Sequence, residues 1–73
     1  MSADQKKQKE VREGIVEEAL PALSFRVRLT DGTELLAHLA GKMKLYYIKV
    51  VPGDRVLVEV AEDGRRGRIV RRL

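Results

Sequence analysis

The segment SFRVRLTDGTELLAHL, Ser24 to Leu39, decides how the rest of this chain is read. Phe25, Val27 and Leu29 alternate with Arg26 and Arg28, a period of two that places three apolar side chains on one face of a strand and two arginines on the other. Asp31-Gly32 then supplies a dipeptide suited to the tight connection of a hairpin. Thr33 to Leu39 returns as the partner strand, with Leu35, Ala37 and Leu39 on one face and Glu34, Leu36 and His38 on the other. One face of the hairpin is wholly apolar and the other is mixed.

Outward from this hairpin, Gly41 ends the strand, and Lys42 to Tyr47 reads as a basic connection with room for one helical turn. Pro52-Gly53 fits the centre of a type II turn, because proline presets the first φ and glycine accepts the positive second one. Arg55 to Val60 is another alternating strand with Val56, Val58 and Val60 inward. A loop from Glu62 to Gly67 precedes a last strand, Arg68 to Arg72, whose alternation puts Arg68, Val70 and Arg72 on one face and Ile69 and Arg71 on the other. Upstream, Val11 to Leu20 is open between two readings. Val11, Ile15 and Ala19 recur at helical spacing before Pro21, yet Gly14 would cost such a helix about 1 kcal/mol. Four or five strands joined by short turns suggest a small closed barrel, since closure removes the unpaired edges of a tiny open sheet. Residues 1 to 10 have no apolar side chain after Ala3 and read as a flexible charged arm before one domain, residues 11 to 73.

Seventy-three residues leave room for a single small core and no second domain. There is no cysteine and only one histidine, so disulfides and ordinary zinc sites are excluded, and nothing in the sequence asks for a cofactor. The apolar runs are far shorter than the about 20 residues that cross a bilayer, and the first ten residues lack the apolar core of a signal peptide. A cytoplasmic protein without a membrane role is expected. Charge is more informative. The formal net charge is +4, and residues 38 to 73 carry nine basic against four acidic side chains, whereas residues 1 to 37 carry six against seven. Arg65, Arg66, Arg68, Arg71 and Arg72 fall within eight positions without an intervening acid, the footprint of phosphate recognition.

Lys42 and Lys44 flank Met43, so a loop tip would surround a flexible apolar side chain with two ammonium groups. Met43 is open between insertion into an RNA groove and burial in the core. Gly41 would allow a positive φ and close approach to another backbone. His38, on the mixed face, is either a surface residue or a phosphate contact.

These residues also carry a family resemblance. Phe25-x-Val27-x-Leu29, Asp31-Gly32, Ala37-His38-Leu39-Ala40-Gly41-Lys42-Met43-Lys44, Tyr47-Ile48-Lys49-Val50, Gly53-Asp54-x-Val56-x-Val58-Glu59 and Gly67-Arg68-Ile69-Val70 together resemble bacterial translation initiation factor 1 over residues 14 to 72. The resemblance implies an all-β, five-stranded OB-fold Greek-key barrel with a short helical turn between strands 3 and 4. It makes Val11 to Leu20 the long first strand rather than a helix. It also implies a factor, monomeric when free, that binds the A site of the small ribosomal subunit through 16S-type ribosomal RNA. An adjacent ribosomal protein and the initiation GTPase are the other implied partners. Arg26, His38, Gly41, Lys42, Met43, Lys44, Tyr47, Lys49, Arg66, Arg68 and Arg72 form the expected RNA-binding set. The chain departs from the family pattern at Arg28, Leu45-Tyr46 and Arg71, in a loop 61 to 67 about one residue shorter, and in a longer arm; most of these changes add charge or bulk.

Two other function classes compare poorly. A cold-shock-like chaperone on the same fold would stack bases on exposed strand aromatics. Phe25 alternates with core residues, which leaves only Tyr46 and Tyr47, off the strands. An enzyme would need a nucleophile, a base and an orienting group, which one histidine, two serines and no cysteine do not supply. Glu17-Glu18 fails as a catalytic pair because neighbouring strand residues face opposite ways.

Overall fold

Alternation of apolar side chains is realised as a closed barrel in the computed structural model, which describes residues 10–46 and 48–73. The elements are β1 (Glu10–Leu20), β2 (Ser24–Leu29), β3 (Glu34–Leu39), α1 (Gly41–Leu45), β4 (Arg55–Val60) and β5 (Arg66–Arg72). Around the barrel the order is β1-β2-β3-β5-β4. Neighbours are antiparallel except β3 and β5, which run parallel in the register Leu36 to Arg66 and His38 to Arg68. This is the expected five-stranded OB architecture with one short helix between strands 3 and 4. The expected arm falls on residues 1–9, which lie outside the described residues, while Glu10 already belongs to β1.

The core is drawn from one face of every strand: Val16, Phe25, Val27, Leu29, Leu35, Ala37, Leu39, Val56, Val58 and Ile69, closed by Met43 and Val50. Val11 and Ile15, whose helical spacing competed with the strand reading, lie exposed on the outside of β1. Gly14 explains itself by packing. A Cβ there would lie 2.7 Å from Val27 Cγ1 and 2.8 Å from the Arg28 carbonyl oxygen, so only glycine lets β1 approach β2 this closely. Pro21 ends no helix; it opens a hairpin whose next two residues, Ala22 and Leu23, hold φ of 63° and 58°. Left-handed backbone at residues with a Cβ costs roughly 1–2 kcal/mol each, which the pairing on either side must offset.

At the second hairpin Gly32 has φ 92°, and its N–H donates to the Leu29 carbonyl at 2.9 Å. Asp31 fastens the turn by accepting from the Thr33 backbone N–H at 2.9 Å and from Arg12 Nη2 at 2.8 Å. The Thr33 amide, followed by the Arg12 guanidinium, holds the Asp31 carboxyl down at about 2 against an ordinary 3.8. A depressed folded-state pKa stabilises above the unfolded value and loses that contribution as pH falls. Parent and Asp31→Asn proteins should therefore differ in melting temperature at pH 6 and converge between about pH 4 and pH 2, as followed by circular dichroism.

Two β-bulges break the simple alternation. On β1 the register slips between Val16 and Glu18, leaving Glu17 as an extra residue. Both glutamates consequently reach arginines on the exterior of β2: Glu17 meets Arg28, and Glu18 meets Arg26. The expectation of opposite faces for Glu17 and Glu18 is thus corrected, and both carboxylates are neutralised. Opposite Leu57 and Val58, β5 carries Val70 as its extra residue, so Ile69 pairs with Val58, Arg71 with Leu57 and Arg72 with Val56. Arg68 and Arg72 do not share a face, contrary to the alternation argument, because the bulge inserts one residue between them.

Candidate nucleic-acid interface

Arginine and histidine side chains that alternate with the core line up across the barrel wall formed by β2, β3 and β5. Strand register builds one row from Glu18, Arg26, Leu36 and Arg66, and a second from Ser24, His38, Arg68 and Glu59. Each row ends on one side in a glutamate; the first carries Arg26 and Arg66 on either side of Leu36, and the second carries His38 and Arg68 at its centre. Arg26 is paired with Glu18, and Arg68 Nη2 lies 2.6 Å from Glu59 Oε1. Arg66 Nε lies 3.4 Å from Asp63 Oδ2. Asp63 also accepts from the backbone N–H groups of Arg65 and Arg66, which shape the turn before β5; the Arg65 amide above all holds its carboxyl below the usual carboxylate range. Arg28 bridges Glu17 at 2.6 Å and Glu34 at 2.9 Å and is spent on the barrel exterior.

A second basic region lies at the mouth of the barrel beside α1. Lys42, Met43, Tyr46, Ile48, Val70, Arg71 and Arg72 line an open groove of about 280 Å³. Three consecutive residues of β5 line this groove where the strand nears its end, next to the bulge at Val70. Arg72 Nη1 donates to the Lys49 carbonyl at 2.9 Å, tying the segment after α1 to β5. Among the described residues, Lys42, Lys44, Lys49, Arg71 and Arg72 form no ion pair with a carboxylate. The two regions therefore differ in kind: the strand rows are internally neutralised and the mouth is not.

Two expectations for the β3–β4 connection are corrected. Met43 is 2% exposed and belongs to the core; the single turn of α1 swings it down over the barrel end, and burying an unbranched apolar side chain there wins over leaving it in water. Gly41 has no positive φ and makes no close backbone approach within the chain; it starts α1, and a Cβ there would meet nothing within 4 Å. His38 is exposed between Ser24 and Arg68. Tyr47 lies outside the described residues. The feature sequence reasoning missed is Arg71 as a groove residue; the bulge at Val70, invisible to a period-two reading, moves Arg71 onto the face that alternation assigned to Arg72. Among the described residues no group of His, Asp and Glu side chains could hold a metal ion, and no helix is long and apolar enough to cross a membrane.

Comparison with known proteins adds the family to this geometry. The sequence profile of the family described as translation initiation factor 1A / IF-1 matches residues 2–73. The chain belongs to this initiation-factor family. The solution structure of translation initiation factor 1 from the Wolbachia endosymbiont strain TRS of Brugia malayi is similar at 42% identity, over 88% of this chain and 77% of that one, with a TM-score of 0.72. The crystal structure of YjeQ from Thermotoga maritima is similar at 29% identity and a TM-score of 0.73, over 88% of this chain but 23% of that one. Membership makes this chain an RNA-binding translation initiation factor built on an OB-fold barrel.

Proposed function

We propose that this chain is a non-enzymatic initiation factor that binds the A site of the small ribosomal subunit through 16S-type ribosomal RNA. An adjacent ribosomal protein and the initiation GTPase are its further partners, and the free factor is a cytoplasmic monomer. The observation that carries the reading is the groove at the barrel mouth, where Lys42, Arg71 and Arg72 stand without counter-charge among the described residues, beside Lys44 and Lys49. Phosphates satisfy such cations without breaking any existing pair. Arg26, His38, Arg66 and Arg68 extend the contact across the strand rows, and the open space around Gly41 leaves room for a neighbouring backbone.

The described strands carry no exposed aromatic, which supports folded RNA over single strands laid across the strand face. Phe25, the aromatic residue of the described strands, is 5% exposed, and Tyr46 projects from the end of α1. Single-strand binders gain much of their affinity from bases stacked on exposed rings. Cosedimentation with purified small subunits, followed by chemical probing of A-site nucleotides, tests the assignment. The expected result is at least about tenfold tighter binding to subunits than to a pyrimidine oligomer at equal salt, with A-site protection. Equal affinity for the two would favour the chaperone class instead.

A further inference from the structure

Each of the two rows on the β2-β3-β5 wall is closed at one end by a glutamate, and the arrangement is asymmetric. Glu18 meets Arg26 from β1 and Glu59 meets Arg68 from β4, so the acids approach the basic stripe from opposite sides. The cations of the barrel mouth have no such partners among the described residues. We propose that Glu18 and Glu59 are affinity-limiting residues: they occupy the strand arginines as phosphates would, holding RNA binding below what the cation count allows. The inference goes beyond the assignment of the RNA target and does not depend on which RNA is bound.

The physical case starts from the pairs themselves. All four side chains are partly open to solvent, Glu59 at 25% and the others at 45–51%, so the pairs add little to fold stability. An arginine–carboxylate contact uses the same donors as an arginine–phosphate contact, so a phosphate arriving at Arg26 or Arg68 replaces one charge-assisted bond with another. A neutralised arginine also adds no net charge to the face, and counterion release from RNA follows the net charge that binds. The displaced glutamate then stands beside the incoming phosphate and repels it. Both effects shorten the residence of the complex, which is where affinity differences between related complexes mostly lie.

The test is a salt titration of binding for the parent, the double variant Glu18→Gln/Glu59→Gln, and the control Glu13→Gln. Glu13 pairs with Arg55 at 3.3 Å on the β1-β4 wall, away from the rows, and so reports generic acid removal. Two probes are used: isolated small ribosomal subunits and a single-stranded pyrimidine oligomer. The double variant should bind subunits at least about fivefold more tightly near physiological salt, mostly through slower dissociation. Its log K against log salt should be steeper by about 1.4–1.8, two contacts at 0.7–0.9 each that the glutamates offset in the parent. The control should lie within about twofold of the parent. Matching melting curves for the three proteins exclude a folding effect.

A double variant no tighter than the control overturns the proposal. Weaker binding by the double variant overturns it too, showing that the glutamates position the arginines instead of occupying them. Should the parent not prefer subunits, the ribosomal assignment fails by itself. The oligomer arm then decides this inference alone, since the same steepening is expected there.

Discussion

Replacing Met43 by alanine is expected to remove roughly 2–5 kcal/mol of stability, the usual cost of emptying a buried Met site. A domain of this size holds on the order of 5–10 kcal/mol in total, so the variant should melt roughly 8–40 °C lower or fail to fold. The reason is positional. Met43 is the buried residue of a five-residue helix, and it caps the barrel end where Leu39 and Val50 also contribute. Lys42 and Lys44 on either side are exposed, and alanine at both should leave melting nearly unchanged. Thermal unfolding of the single Met43 variant and the double lysine variant separates the two roles inside one three-residue segment. Equal melting temperatures for Met43→Ala and the parent would show that α1 does not close the core.

Replacing Lys42, Lys49, Arg71 and Arg72 together by glutamine should produce the largest loss of RNA binding. Each unpaired cation that meets a phosphate contributes about 0.7–0.9 to the slope of log K against log salt. Four contacts correspond to a slope flatter by about 3 and to affinity at least about a hundredfold weaker near physiological salt. The fold should survive, because Arg72 gives up only one hydrogen bond to the Lys49 carbonyl and the other three side chains hold no ion pair among the described residues. Arg26→Gln, which breaks an existing pair with Glu18, should weaken binding far less. A salt titration with purified small subunits measures all of this. An unchanged slope in the quadruple variant would move the electrostatics to the strand rows.

Much of the fold was legible because alternation is a local signal. Ser24–Leu29 and Arg55–Val60 are strands with the bounds their apolar period suggests, and the turns at Asp31-Gly32 and Pro52-Gly53 carry the positive φ at the glycines. β1 was not legible locally, since Val11, Ile15 and Ala19 satisfy a helix as well as a strand; the resemblance resolved it. What alternation could not give is where it fails. The bulges at Glu17 and Val70 arise from how two strands must slide to close the barrel, a property of pairs of segments, not of either one. The candidate site suffered for the same reason. Lys42, Arg68 and Arg72 were named from the sequence, but the division between paired and unpaired cations depends on which acid lies across the strand, and Met43 turned inward because α1 spans the barrel mouth.

The parallel pairing of β3 with β5 has a kinetic consequence. Those strands touch in the register Leu36 to Arg66 and His38 to Arg68, contacts about thirty residues apart along the chain. Hairpins such as β1-β2 and β2-β3 close short loops, whereas the β3-β5 seam must bring distant segments together before it gains anything. Both basic rows cross that seam. A chain still emerging from synthesis, or one truncated before Arg66, contains Arg26 and His38 but lacks their β5 neighbours. The wall that carries both rows therefore exists only in the finished barrel, and it is among the last surfaces to form.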